Sequence, residues 1–176
     1  MAQRFRGEFS QKIDGKGRMS IPAGLRRVLE SGDPDYPEKR DTPRMVVLYG
    51  PHLNHNLHAY TIDEMARVAD DIDALPMGSD EQEQASRMIL SKSLEIEIDR
   101  DGRIVLPQAR REQIALGKEG DILVLAAMGR YFEIWKESTF NEVSAAQSEA
   151  YLASKPDNFN PMSLLAGVRT KGNGGE

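Results

Sequence analysis

Twice the chain writes an aspartate, three residues, an arginine and a short run closed by proline: DGKGRMSIP at 14–22 and DRDGRIVLP at 99–107. An acid and a guanidinium at this spacing, with glycine between them, suit a tight hairpin turn. Asp14 and Asp99 would pin the loop through Arg18 and Arg103, while Gly17 and Gly102 take up positive φ. A carboxylate facing a phosphate would repel it, so both aspartates are assigned to the turn. The groups able to meet a polyanion are others. Lys12, Lys16 and Arg18 fall within seven residues, and Gly15 and Gly17 let the backbone approach a partner. Lysine and arginine neutralise phosphates, and an arginine can read a guanine edge in a major groove that admits a β-ribbon. Arg4, Arg6, Arg26 and Arg27 extend this basic set along the neighbouring chain. The second copy differs in charge: Glu95, Glu97, Asp99 and Asp101 outnumber Arg100 and Arg103, and Asp101 stands where the first copy has Lys16. Arg103 is therefore assigned a structural or subunit-contact role ahead of a DNA contact.

Other chemistry finds little support. His52, His55 and His58 are the only histidines. Their Pro- and Asn-containing context places them on a loop entering a strand, where 55 and 58 face opposite ways, so exposed loop histidines are expected rather than a metal site. The Gly15/Gly17 pair lacks the spacing of a phosphate loop or dinucleotide fingerprint, and no nucleophile elbow or metallohydrolase motif occurs. The acidic run 70–73 (DDID) reads as a solvated helix face. Met65, Val68, Ala69, Ile72, Met88, Ile89 and Leu94 read as core positions. No enzyme, cofactor or metal is expected.

The elements that must hold these residues come in a repeat. At an offset of 85, Asp14, Arg18, Ile21 and Pro22 fall on Asp99, Arg103, Leu106 and Pro107; further on, MVVLY (45–49) resembles DILVL (121–125), and LHAYTIDEM (57–65) resembles FEIWKESTF (132–140) at an offset of 75. The ten-residue difference is absorbed by 31–44 (SGDPDYPEKRDTPR), a Pro- and charge-rich insertion expected as an exposed loop. In the second copy LEIEI (94–98) alternates like a half-buried strand, 99–102 is a turn, Ile104–Leu106 returns, and Pro107 opens a helix ending at Gly117. Strands DILVLAA and YFEIW and a helix from about Ser138 to Ala153 follow. The first copy repeats the pattern: FSQKI, turn, MSI, a helix from Pro22 to Leu29, MVVLY, LHAY and an acidic helical stretch over 63–92. The expected divisions are 4–65, 66–92, 93–153 and a Pro/Asn/Gly-rich tail 154–176, whose end reads as disordered and whose SLLAGV reads as a docking segment. Neither copy alone can bury enough surface, but two can close on each other. The expectation is a mainly β protein with flanking helices (α+β), its two β-hairpin units interleaved into one small barrel.

Composition sets the wider bounds. The 176 residues hold no cysteine, which excludes disulfides and Cys-based sites and fits a reducing cytoplasm. MAQRFRGEF lacks the apolar core of a signal peptide, and the longest apolar run, ILVLAAM (122–128), falls far short of a membrane span, so no membrane partner is expected. Net charge is −5, yet residues 1–27 carry a net +5, leaving −10 on the rest; eight acidic residues face Arg67 alone between Asp63 and Glu83. A basic patch on an acidic body steers a polyanion to one face. A single basic hairpin with about three to five phosphate contacts binds weakly at physiological salt, so useful affinity needs several joined chains on tandem DNA repeats.

The stretch FRGEFSQKIDGKGRMSIPAGLR, followed by the second Asp-x-x-x-Arg closing on proline, resembles the MraZ family of bacterial transcriptional regulators, in the swapped-hairpin (AbrB-like) superfamily. The resemblance covers about residues 4–145. It implies a double-split, swapped-hairpin barrel, and ring-forming homo-oligomers in the cytoplasm, associated with the nucleoid. These would bind short promoter repeats in double-stranded DNA, upstream of a cell-division and cell-wall gene cluster that includes the regulator's own gene. An alternative within the same superfamily is an antitoxin-like module whose tail neutralises a partner protein; its single hairpin copy fits this doubled chain less well.

Overall fold

A computed structural model describes residues 3–117 and 120–169. Contacts divide the chain into two units, Met1–Thr139 and Phe140–Glu176. Strands β1 (Glu8–Lys12) and β2 (Arg18–Ser20) flank the first turn; α1 (Ala23–Ser31) follows, and β3 (Arg44–Leu48) and β4 (Asn56–Tyr60) form a hairpin. Then come α2 (Ile62–Asp73) and α3 (Asp80–Met88). The second copy supplies β5 (Ser93–Glu97), β6 (Arg103–Val105), α4 (Gln108–Gln113), β7 (Ile122–Ala127), β8 (Tyr131–Lys136) and a short α5 (Glu137–Thr139).

The strands build a six-stranded antiparallel sheet in the order β1-β7-β8-β4-β3-β5 and a separate two-stranded ribbon, β2-β6. The copies exchange strands: β1 pairs with β7 of the second copy, β5 with β3 of the first, and the ribbon takes one strand from each. The order reads symmetrically about the β4–β8 junction, where His58 faces Glu133. The interleaving is as expected, but the hydrogen-bonded ladder forms two sheets and not one closed barrel. Both strands of the ribbon are only three residues long, and each is followed, after one buried residue (Ile21 or Leu106), by a proline.

One core lies between the inner face of the large sheet, the inner face of the ribbon, α1 and the segment after α4. Met19 and Ile104 point in from the ribbon, Leu25 and Leu29 from α1, Ile114 and Leu116 from beyond α4, and Met45, Leu57, Leu123, Leu125, Phe132 and Ile134 from the sheet. Phe5 meets Phe132 edge to face at 5.2 Å. The period-2 pattern is clear in β5, where Ile96 is buried between exposed Glu95 and Glu97.

Several expectations need correction. Pro22 and Pro107 sit one residue before their helices, extended at ψ 141° and 146°, so each is a cap and not the first helical residue. α4 ends at Gln113, well before Gly117, because Ala115 turns to φ 59°. The acidic stretch 63–92 is not one helix. It breaks across Pro76 and Gly78 (φ 74°), and Ser79 restarts it by accepting a hydrogen bond from the Gln82 amide (3.2 Å). Met65 and Ile72 are buried on α2 as expected, with Val68 and Ala69 half-buried. Met88, expected in the core, is exposed, because α3 lies on its own axis and buries none of its residues.

The insertion 31–44 is not a free loop. Asp33 is buried and accepts from Arg44 Nη2 (2.8 Å), Arg44 Nε (3.0 Å) and the amides of Arg44 (2.9 Å) and Asp35 (3.1 Å). Burial works against its charge, yet the Arg44 guanidinium and these amides hold the carboxyl below the usual carboxylate range. Arg40 reaches Glu97 (3.2 Å) and Asp41 reaches Arg100 (2.9 Å), so the insertion is laced to the second copy's hairpin.

The second unit contains α6 (Ala146–Ala153), a 3-10 segment Pro161–Leu165 and α7 (Ala166–Arg169). Tyr151, Leu152, Met162, Leu164, Leu165 and Val168 are exposed on it, so the SLLAGV segment takes helical form with its apolar side chains open. The tail's expected disordered end, 170–176, lies outside the described residues. No helix among the described residues is long and apolar enough to cross a membrane.

Candidate nucleic-acid interface

In the first turn Asp14 Oδ1 accepts from the amides of Lys16 and Arg18, both at 2.9 Å, and its Oδ2 accepts from Arg18 Nε at 2.6 Å. The Arg18 amide, then its guanidinium, holds the Asp14 carboxyl below the usual carboxylate range. Gly17 has φ 84°, and a Cβ there would lie 2.5 Å from the Leu106 carbonyl oxygen. That approach is structural, because the Leu106 amide donates to the Gly17 carbonyl at 2.8 Å. The second turn repeats the design: Asp99 Oδ1 accepts from the amides of Asp101 (2.9 Å) and Arg103 (2.8 Å), and Gly102 accepts from the Ile21 amide (2.8 Å). There the Arg103 amide is the leading cause of a lowered Asp99 pKa.

These turns bring part of the expected basic set together. The outer face of the ribbon presents Arg18, Ser20, Arg103 and Val105, with Met19 and Ile104 turned into the core. Lys12, Arg18 and Arg103 line one open concavity beside it, and Lys16 is exposed at the tip. Arg103, assigned to structure from the sequence, thus both braces its own turn and shares the open face of Arg18.

The rest of the set lies elsewhere. Arg26 packs over Gly102 of the second copy and sits 3.7 Å from Glu30. Arg4 lines a cleft with Asp63, Glu64, Arg67 and Arg130 at the start of α2, and Arg27 lies beside Glu30 and Glu38. Arg6 is exposed near the start of β1. One cation was missed. Arg111 donates from Nε to the Leu106 carbonyl (3.1 Å) and from Nη1 to the Gly15 carbonyl (3.4 Å), beneath the first turn. The repeat could have revealed it, since Arg26 and Arg111 stand 85 residues apart and each covers the other copy's glycine.

The histidines form no metal centre, and no group of three or more metal-ligating side chains exists among the described residues. His52 and His55 are exposed, but His58 is not a loop residue: it is half-buried on β4, stacked on Tyr131 at 4.3 Å. Burial pushes its pKa down to about 4, and His52 adds to this; Glu133 Oε1 stands 3.8 Å away. Burial likewise pushes Tyr60 up to about 12.

An interleaved pair of Asp-turn-Arg hairpins with a basic outer face fits the class of swapped-hairpin regulators that the sequence resembles. The comparisons with known proteins agree. A family model described as "MraZ protein, putative antitoxin-like" matches residues 89–159. A protein of Ruegeria pomeroyi named transcriptional regulator MraZ is 42% identical over 96% of this chain and 98% of its own length. Proteins of the same name from Cereibacter sphaeroides (39% identical, 94% of this chain, 97% of the relative) and Roseiflexus castenholzii (34%, 81% and 87%) also match. The chain belongs to the MraZ family.

Proposed function

We propose that the protein is a sequence-specific, double-stranded DNA-binding transcriptional regulator that docks the outer face of the β2–β6 ribbon in the major groove. Arg18 reads a base edge, and Lys12, Lys16 and Arg6 contact phosphates. The observation that carries this reading is the convergence of Lys12, Arg18 and Arg103 on one open concavity of an otherwise acidic protein. Arg4, Arg26 and Arg27 drop to supporting roles, because none of them lines the concavity shared by Lys12, Arg18 and Arg103. The ribbon lies on the junction of a double-split, swapped-hairpin barrel in this reading, and its basic face is small. Homo-oligomers, as rings, therefore engage tandem promoter repeats at high effective concentration. The name shared by the relatives supports regulation of transcription, and with it a cytoplasmic, nucleoid-associated protein. The cell-division and cell-wall gene cluster, including the protein's own promoter, is the target that the family suggests.

The test is binding to duplex DNA over a salt series, with light scattering alongside. The logarithm of affinity should fall with the logarithm of salt at a slope of about −3 to −4 per engaged chain, and the active species should be an oligomer. Asp71→Ala, on the far acidic helix, should bind as wild type. Salt-independent binding would remove the phosphate contacts, and a monomer at working concentration would remove the tandem engagement.

An antitoxin-like module is the second reading. The family model's description and the exposed apolar side chains of the second unit favour it. Co-purification of a stoichiometric small protein, in place of promoter DNA, would decide for it.

A further inference from the structure

Among the described residues, Val105 is the one large apolar side chain that is exposed while lying in a strand, with 54% of its surface open. It stands on the outer face of the ribbon, among Arg18, Ser20 and Arg103. Strand propensity alone accounts poorly for it, since threonine has a similar branched shape and a hydroxyl suited to water. Its position is also specific. Val105 is the cross-strand partner of Arg18, while Ser20, its counterpart in the first copy, is the partner of Arg103. Backbone hydrogen bonds join Leu106 to Gly17 and Ile21 to Gly102, so Arg18–Val105 and Ser20–Arg103 are the close, non-hydrogen-bonded pairs between them. Side chains in such pairs leave the sheet about 5 Å apart. Stacked base pairs are about 3.4 Å apart, so one side chain of the pair reaches the base pair next to that of the other.

In a major groove the chemistry complementary to an isopropyl group is the 5-methyl group of thymine, as an arginine complements the O6 and N7 of guanine. We infer that Val105 is a specificity-determining residue, which contacts the methyl of a thymine adjacent to the base read by Arg18. The second half of the ribbon offers Ser20 beside Arg103, and a hydroxyl donates or accepts toward any base. The pseudo-symmetric ribbon is therefore chemically polar, with a thymine-reading half and a tolerant half. It fixes the direction in which each chain lies on DNA. This rests on the ribbon-in-groove reading above.

The experiment selects duplexes from a randomised library with the full chain, then replaces each invariant thymine of the selected site by deoxyuridine, which lacks only the methyl. Wild type should lose about fourfold in affinity per site at one thymine beside an invariant guanine, the worth of one methyl kept from water. Val105→Ala should bind the thymine and uracil duplexes alike, with the salt slope and urea midpoint of wild type. Val105→Ile should restore the discrimination. Uracil duplexes that bind wild type as tightly as thymine ones would overturn the inference. So would a Val105→Ala protein that keeps the full penalty, or salt-dependent binding without any selected sequence; each leaves DNA binding itself standing. Absence of salt-dependent binding in wild type would overturn both.

Discussion

In the first turn Asp14 engages the Nε edge of Arg18, and neither terminal nitrogen of that guanidinium has a hydrogen-bond partner among the described residues. In the second, Arg103 donates from Nε to Asp99 (3.3 Å) and from Nη2 to Asp101 (2.8 Å). Arg18 is thus oriented and free to fork onto a base edge, whereas half of the Arg103 fork faces a carboxylate that repels DNA. Arg18→Ala should cost about tenfold or more in affinity, the worth of a good bidentate base contact, and Arg103→Ala distinctly less, as a titration of both variants at one salt concentration would show. Equal losses would mean that both copies contact DNA alike. His58 makes a second prediction at this scale. Its folded pKa of about 4 lies below the ordinary 6.5, so the unfolded chain binds the extra proton first as pH falls. The contribution is complete above pH 6.5 and is lost progressively toward pH 4, up to about 3 kcal/mol, with Glu133 and its 3.8 Å approach reducing it. Urea midpoints should drop between pH 7 and 5 in wild type and much less in His58→Phe. The lowered carboxyls of Asp14, Asp33 and Asp99 also favour the deprotonated form in the fold, so their contribution is likewise lost as pH falls, but in a more acidic window, below their ordinary 3.8. A pH-independent midpoint would show that His58 is protonated freely in the fold.

Among the elements, α4 shows how a helix can end without the residue best suited to end it. The Ala115 amide donates to Glu112 (3.0 Å) and the Leu116 amide to Arg111 (2.8 Å), the paired bonds of a Schellman closure, with Ala115 in the left-handed position at φ 59°. Glycine takes that backbone without the penalty of a Cβ. Ala115 is exposed, so Ala115→Gly should stabilise the protein by about 0.5–1 kcal/mol, read as a higher urea midpoint with unchanged slope. A loss of stability would show that the Cβ is held by packing. This ending was not legible in the sequence, where Gly117 is the obvious terminator and nothing local marks Ala115. The strands were legible, because period-2 runs such as LEIEI and the apolar MVVLY survive folding unchanged. The insertion was legible as a turn-rich segment, but its anchoring was not. Arg44 and Asp33 are joined by geometry across eleven residues, and Arg40 with Glu97 across 57. Long-range ion pairs leave no local pattern. The same limit applies to Arg4, Arg26 and Arg27: proximity along the chain to Arg18 suggested one patch, but Arg26 and Arg27 lie on α1 and Arg4 lines a cleft at the start of α2, so none of the three lines the concavity that holds Arg18.

At the scale of the whole molecule, the duplication detected at offsets 85 and 75 becomes an exchange of strands, and that exchange fixes what can fold alone. Among the described residues, only the β3–β4 or β7–β8 hairpin pairs within one copy; β1 needs β7, β5 needs β3, and β2 needs β6. Isolated two-stranded hairpins are marginal in water, and the core side chains Met19 and Ile104 would each face solvent without the opposite ribbon strand. The chain can be cut between Met77 and Gly78, an exposed break between α2 and α3 outside both copies' strands. Each fragment, 1–77 and 78–176, should then show little strand signal by circular dichroism and no cooperative unfolding. Mixing the fragments after joint refolding should restore a single cooperative transition. Folding of one fragment as a homodimer, with a concentration-dependent midpoint, would be the same mutual dependence realised between identical copies. A monomeric fragment that unfolds cooperatively would show that one copy buries enough surface by itself, and the interleaved strands would no longer be what makes the fold. The proposed DNA-binding face depends on this directly, because Arg18 and Val105 share one face only when the two halves are intertwined. A mixture of fragments should therefore regain salt-dependent duplex binding together with its cooperative transition, and neither fragment alone should show it.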